Sequence, residues 1–368
     1  MLPVLHLITT INRGGAENQL LILVGQQISM GREVKVCYLK GEPELNDKFL
    51  KIGAEVITEL ASKPTWRQVL YLRKILNSRR YILHAHLPRA QLVAAFANKN
   101  SYLVTSRHDA ERFNPNGNKF LSILLSRIVA KRTDVAIAIS HAVRKAMMSY
   151  KEFPKEFKIE VVHYGIELET KKVISETGLF KKEFYLQSRK GILFGTLARI
   201  VDQKDFPTLL LGFKEYCSKF GDSHLIVAGE GNLRQSMTEY SRQLGIDKKV
   251  TWLGNISETD DFLSTLDVFV LASKTEGFGL VLLEAMRCGV PIIGSNASAI
   301  PEVIGSGNGL IFNSGNPQEL SLAMEECRNP NLRKHLGERS RTRIKHFDSR
   351  NMALKMDNIY KSLEMEDK

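Results

Sequence analysis

Apolar residues gather in short, strand-length runs separated by stretches with helical spacing. In the first half the runs are VLHLITT, EVKVCYL, YILHAHL, SYLVTSR, DVAIAIS and IEVVHYGI, and the first helix is expected from about Glu17. Strands alternating with helices predict a parallel sheet, because parallel neighbours need a crossover long enough to hold a helix. The rhythm stops over residues 167–191, ELETKKVISETGLFKKEFYLQSRKG, which are charged and lack an apolar period. It resumes with ILFGTLAR, SHLIVAGEG, KVTWLG, DVFVLAS, PIIGSN and GLIFN, and ends in helical patterns from about Pro317. Two α/β domains are therefore expected, residues 1–185 and 186–345, followed by a helix over 346–368 packing back on the first. Ligands of open parallel sheets bind beyond the carboxyl ends of the strands, so the strand-to-helix turns are where chemistry is sought.

One such turn lies in TEGFGLVLLEAMRCGVPII, residues 275–293. Glu276 precedes a helix expected from Leu280 to Arg287, with Gly289 as a left-handed cap. Glu284 lies inside that helix, flanked by Leu282, Leu283, Ala285 and Met286. A carboxylate in apolar surroundings must be paired or hydrogen-bonded, so a structural ion pair or a surface position stands beside a binding role. Free N–H groups at the helix start, around Gly277, Phe278, Gly279 and Leu280, suit an anion such as phosphate. In GTLARIVDQKDF, Arg199 and Lys204 follow the first strand of the second half; they complement a diphosphate or are simply a solvated pair. In TTINRGGAEN, Gly14 and Gly15 follow the first strand, either admitting a ligand to the backbone or making a turn at positive φ. This is not G-x-G-x-x-G, so a dinucleotide site is unsupported.

Charge sharpens the picture once it is located. The net +12 of the 368 residues resides in residues 1–190, with 31 Lys and Arg against 17 Asp and Glu; residues 191–368 hold 21 against 23. Residues 51–150 alone hold 17 against 5. Such a region fits an anionic partner: a membrane surface, a phosphorylated acceptor or nucleic acid. Two basic amphipathic helices are expected there. WRQVLYLRKILNSRRY carries the stripe Val69, Leu72 and Leu76, and KFLSILLSRIVAKR carries Leu121, Leu124, Leu125 and Ile128. Each stripe either meets lipid or packs on the sheet. Nucleic acid is set aside, since a pI near 9.4 is unaccompanied by an aromatic-basic RNA motif or helix-turn-helix signature. The four cysteines, Cys37, Cys217, Cys288 and Cys327, have no metal-like spacing and read as reduced thiols of a cytoplasmic protein. MLPVLHLITT has no basic leader, and no apolar run approaches the roughly 20 residues a spanning helix needs.

Taken together, RGGAEN, ARIVDQKDF, VAGEGNLRQ, WLGNISE and EGFGLVLLEAMRCGVPII give the whole chain a specific likeness. It resembles the retaining, nucleotide-sugar-dependent glycosyltransferases of family 4, which have the GT-B fold: two Rossmann-like α/β domains with parallel sheets facing across a cleft. The resemblance implies a hexosyltransferase without a metal site or cofactor, using a nucleotide-diphosphate sugar, expected as a UDP sugar, as co-substrate. Glu284 would bind the ribose hydroxyls and Glu276 the donor sugar. Arg199 and Lys204 would clamp the diphosphate, helped by Phe278, Gly279 and Leu280, with Gly14 and Gly15 beneath. His108, in VTSRHDAER, matches a histidine near the transferred sugar, and Gly254 lies where the base is read. Ala198 and Asp205 stand where many members have glycine, which makes that loop less flexible. The acceptor would be a saccharide, lipid-linked or membrane-associated, met by the basic domain at the cytoplasmic face of a membrane. A sugar-nucleotide epimerase of the same architecture is the competing expectation.

Overall fold

A computed structural model describes residues 1–114, 117–169 and 191–365. The chain divides into two compact units, Met1–Ile166 with Phe347–Lys368, and Glu167–His346. The boundary expected at 185/186 lies outside the described residues.

The first unit is built on β1 (Val4–Ile8), β2 (Val34–Tyr38), β3 (Glu55–Ile57), β4 (Ile82–His86), β5 (Tyr102–Arg107), β6 (Val135–Ala138) and β7 (Ile159–Val161). All pairings are parallel, in the order β3-β2-β1-β4-β5-β6-β7, so the direction of winding reverses between β1 and β4. Both faces of the sheet are covered, which is why β1 and β4 are buried at every position instead of alternating. Crossovers are supplied by α1 (Gly15–Ser29), α2 (Asn46–Lys51), α3 (Thr65–Ser78), α4 (Pro88–Ala97), α5 (Lys119–Ala130) and α6 (His141–Ser149). The short edge strand β3 is not expected from the sequence pattern; its three residues are exposed or half-buried, so they carry no apolar run.

The last helix of the chain, here α14 (Ser349–Met365), packs on α1. Buried Arg32, just beyond α1, is bound by Asp357 and by Glu364 at 3.0 Å, and lies over the Tyr360 ring. A buried guanidinium with carboxylates from a distant helix makes that return specific, since removing either partner leaves a buried charge.

The second unit has β8 (Leu193–Leu197), β9 (His224–Ala228), β10 (Val250–Gly254), β11 (Val268–Leu271), β12 (Ile292–Ser295) and β13 (Leu310–Phe312). They are parallel in the order β10-β9-β8-β11-β12-β13, and winding reverses between β8 and β11. Around them lie α7 (Phe206–Lys219), α8 (Arg234–Gln243), α9 (Thr259–Thr265), α10 (Leu280–Cys288), α11 (Ile300–Ile304), α12 (Pro317–Glu326) and α13 (Pro330–Arg343). Phe206, Leu209, Leu210, Phe213 and Tyr216 form the inward face of α7 and close one core over the sheet. No helix among the described residues is long and apolar enough to cross a membrane.

Candidate active site

In the second unit the loops after β8 and β11 flank the reversal of winding, where ligands of open α/β sheets are received. They are stitched together. Lys274 donates its backbone N–H to Gln203 O at 2.8 Å, Gln203 returns its amide to Thr275 O at 2.9 Å, and Lys274 Nζ meets Asp202 at 2.7 Å. The same seam contains the Lys204–Glu276 ion pair, with Ser273 Oγ donating to Glu276 at 2.8 Å. Glu276 is buried and Lys204 nearly so, and both Lys204 and Ser273 engage the same oxygen, Glu276 Oε1. Arg199, by contrast, is exposed. The two cations of R-x4-K thus differ: one is held by the glutamate and the other is open.

The helix start is as expected. Gly279 sits at φ 84 and caps α10, which runs from Leu280 to Cys288 and ends on left-handed Gly289 at φ 71. A left-handed residue before the first turn is glycine's role, and it leaves the turn's N–H groups clear of a side chain. Phe278 is buried and anchors the loop.

Glu284 is the opposite of Glu276. It lies on α10, and no group among the described residues hydrogen-bonds its carboxylate. Desolvation raises it to about 7, against a downward pull from Arg287 and an upward push from Asp260. Arg287, one turn on, is committed to Asp260 at 2.5 Å. The two glutamates of the opening motif are therefore one satisfied carboxylate and one without a partner.

Gly254, at φ 74, closes β10 and its carbonyl accepts from Gly229 N at 2.7 Å. Gly229 itself, at φ 125, lies so close to the β8 loop that a Cβ there would fall 2.0 Å from Ala198 O. VAGEG is thus fused to the backbone of the TLARI segment, with Ile200 N donating to Glu230 O at 2.9 Å. Gln203 and the Arg287–Asp260 pair escaped the sequence reading, because nothing in their own neighbourhood along the chain reveals which loop each will meet, whereas Ser273 lies in the same loop as Glu276 and was passed over.

In the first unit Gly14 and Gly15 enter α1. Neither has positive φ; Gly14 is extended at φ −133, so the turn explanation for the pair is removed. Instead the bare Gly14 makes room for Glu17, whose carboxylate accepts from Thr10 Oγ1 at 2.7 Å. A carboxylate over this loop suits hydroxyl groups and opposes phosphate.

His108 stands directly after β5, in a chain of buried imidazoles. His6 Nε2 contacts Gln27 Oε1 at 2.8 Å, His6 Nδ1 meets His86 Nε2 at 3.0 Å, and His86 Nδ1 meets His108 Nε2 at 3.1 Å. Tyr164 OH closes the chain on His108 Nδ1. Each link needs one donor and one acceptor, and with Gln27 Oε1 accepting, neutral rings satisfy every link when each carries its proton on Nε2. Burial lowers His6 to about 4 and His108 to about 3, the latter helped by the Arg107 charge, and depresses His84 and His86 as well. His6, His84 and His86 bring ring nitrogens within 4.8 Å of one another, a spacing a metal uses, but those nitrogens already serve hydrogen bonds, His84 to Tyr360 and Ser106. Both nitrogens of His108 are likewise taken. A sugar hydroxyl reaches them only if Tyr164 gives way, which sets His108 apart from the second-unit residues.

Two doubly wound parallel sheets, each with its candidate residues beyond the strand ends, define an α/β protein of the GT-B class. Residues 13–170 match the model described as Glycosyltransferase Family 4, and residues 180–343 that described as Glycosyl transferases group 1. The chain belongs to the glycosyltransferases of family 4. It is 27% identical over 295 residues to N-acetyl-alpha-D-glucosaminyl L-malate synthase of Bacillus anthracis, covering 78% of this chain and 76% of that one. It is 25% identical over 291 residues to the capsular polysaccharide biosynthesis glycosyltransferase CapM of Staphylococcus aureus, covering 76% of each. Among solved structures, Anabaena HepE in complex with UDP superposes with a TM-score of 0.81 at 19% identity, over 98% of this chain and all of that one.

Proposed function

We propose that this glycosyltransferase is a retaining, metal-independent hexosyltransferase of cell-surface polysaccharide or glycolipid synthesis. Its donor is a UDP sugar and its acceptor a lipid-linked or membrane-associated saccharide. The observation that carries the donor half is the contrast between Glu276 and Glu284. A desolvated carboxylate with no hydrogen-bond partner among the described residues is what two neighbouring ribose hydroxyls satisfy, both as donors. Glu276, held by Lys204 and Ser273, keeps its second oxygen for hydroxyls of the sugar. Lys204, Arg199 and the N–H groups at Phe278, Gly279 and Leu280 stabilise charge on the departing diphosphate. The leaving oxygen takes the acceptor's proton while the new C–O bond forms on the same face, so the protein supplies position and charge and needs no nucleophile. HepE was solved with UDP and with UDP-glucose, and CapM belongs to capsule synthesis, which supports the donor and the pathway class.

For the acceptor half the support is α5. Its inward face is Ser122, Ser126, Val129 and Ala130, while Phe120 (76% exposed), Leu121 and Leu124 point outward beside Lys119 and Arg127. Leu125 packs on the core, but the exposed apolar edge of Phe120, Leu121 and Leu124 beside two cations suits an anionic bilayer on the cytoplasmic face. The expected stripe of α3 does not add to this, since Leu72 and Leu76 are core; its exposed apolar residues are Trp66 and Leu70 instead.

A thermal-shift screen against UDP, GDP, ADP and their sugar conjugates tests the donor, with UDP compounds expected to stabilise most. EDTA should leave turnover intact, and a strict divalent requirement would refute the metal-independent part. Donor alone should give no epimer. Co-sedimentation with phosphatidylglycerol vesicles, weakened by salt, tests the membrane part.

A further inference from the structure

The first unit contains a cavity of about 480 Å³ that none of the residues above explains. It lies between α5 and the end of α6 and is lined by Arg112, Lys119, Ser122, Tyr150, Lys151 and Glu152, among others. Its size is that of a small-molecule site. Three cations border it. The one carboxylate among the described residues of its wall, Glu152, is turned to the interior, accepting from Phe113 N at 2.7 Å and Arg107 Nη2 at 3.3 Å. The cavity is thus electropositive, and its floor is tied through Arg107 to the chain at His108.

Lys151 is the telling residue. α6 ends in a Schellman motif, with Lys151 N donating to Met148 O at 3.1 Å and Glu152 N to Met147 O at 3.2 Å. The position between those bonds is left-handed, φ 57, and is normally glycine. A lysine there costs stability, and what it adds is an ammonium at the rim of the cavity.

We propose that this cavity seats the diphosphate of a lipid-linked acceptor between Arg112, Lys119 and Lys151, with the lipid running onto the outward apolar face of α5. The assignment rests on the glycosyltransferase reading above and names where the acceptor's charged group is held. Phe120, Leu121 and Leu124 continue from Lys119 along α5, so charge and apolar surface adjoin in the order that a lipid diphosphate presents them.

The test is binding of farnesyl diphosphate, inorganic pyrophosphate and farnesol to the full chain, with UDP in parallel. The double variant Lys119→Gln, Lys151→Gly should bind farnesyl diphosphate at least 10-fold more weakly and UDP unchanged. Lys151→Gly alone should keep or raise the thermal midpoint while weakening farnesyl diphosphate binding, an outcome that a structural role for Lys151 does not give. Unchanged farnesyl diphosphate binding in the double variant, with UDP still bound, overturns the proposal. Pyrophosphate binding as tightly as farnesyl diphosphate overturns the lipid part and leaves a site for a soluble phosphorylated acceptor. Failure of UDP to bind, with farnesyl diphosphate binding intact and sensitive to the double variant, overturns the donor reading and leaves the cavity assigned.

Discussion

Lys204 and Glu276 are a nearly buried pair, so each is the other's solvent. Glu276→Ala should strand the ammonium and cost about 3 kcal/mol of stability, while Lys204→Ala strands the carboxylate at a similar cost. The double change Glu276→Gln, Lys204→Met removes both charges and should restore most of the denaturation midpoint, yet turnover should stay down by roughly 10²-fold or more. Recovery of turnover with stability would make the pair purely structural. Glu284 has a different test. In the unfolded chain it titrates near its ordinary 4.5 and in the fold near 7, so between those values the fold holds a proton that the unfolded chain has lost. Stability from this group is therefore full below 4.5 and is lost as pH rises through 7. Donor hydroxyls favour the ionised form, so the opposite slope is expected in binding: UDP affinity should fall as pH drops below 7, and Glu284→Gln should be weak and flat across that range. A wild-type UDP affinity that is indifferent to pH between 5.5 and 8 would contradict it. Both glutamates were legible from spacing and context. That one would be paired and the other bare was not, because the difference depends on Lys204 and Ser273 arriving from separate strand ends.

At the scale of elements, pattern reading succeeds where burial is two-sided and fails where a face is unusual. β8, β9, β11 and β12 are buried almost throughout and were visible, as were the half-buried β10 and β13 and the glycine-bounded helix α10. β3, an exposed three-residue edge, was not. The facing of α5 was also out of reach, because its stripe of leucines has the period of a core helix, and only the neighbours reveal that Leu125 packs inward while Leu121 and Leu124 stay exposed and Ser122 and Ser126 are buried. The α10 cap permits a clean check. Gly279→Ala forces a Cβ at φ 84 and brings it 3.0 Å from Leu282 Cδ1, so a loss of about 1–2 kcal/mol is expected from the backbone alone. If the turn also receives the diphosphate, UDP affinity should fall by more than the stability loss predicts at temperatures where the variant is fully folded. Equal UDP affinity in folded Gly279→Ala would remove the turn from the donor site.

For the whole molecule, the charge division seen in the sequence coincides with a division in buried titration. The first unit buries His6, His84 and His86 and half-buries His108 as neutral rings, an arrangement that the sequence did not announce because the four residues come from β1, β4 and the turn after β5. In the unfolded chain each takes a proton near 6.5, whereas in the fold His6 does so near 4 and His108 near 3. Between these values the unfolded chain binds more protons, so the stability they contribute is complete above 6.5 and is lost progressively as pH falls toward 4. Glu152, raised to about 7 by burial, opposes this in the first unit, but one carboxyl faces four imidazoles. In the second unit Glu284 pushes in the direction of Glu152, against a single buried histidine, His224, that burial also lowers. Acidification from pH 7 to 5 should therefore weaken the first unit more than the second. Amide hydrogen exchange, followed separately in β1–β7 and β8–β13, measures the two opening free energies in one sample. Faster exchange in β1, β4 and β5 at pH 5, corrected for intrinsic rates, is expected, with β8 and β11 changing little. The variant His6→Gln, His86→Gln removes two of the four titrating rings, so its core strands should exchange with less pH dependence whatever it loses in absolute stability. Equal acid sensitivity in both sheets, or an unchanged slope in that variant, would mean that the imidazole chain does not govern the acid limit of the fold.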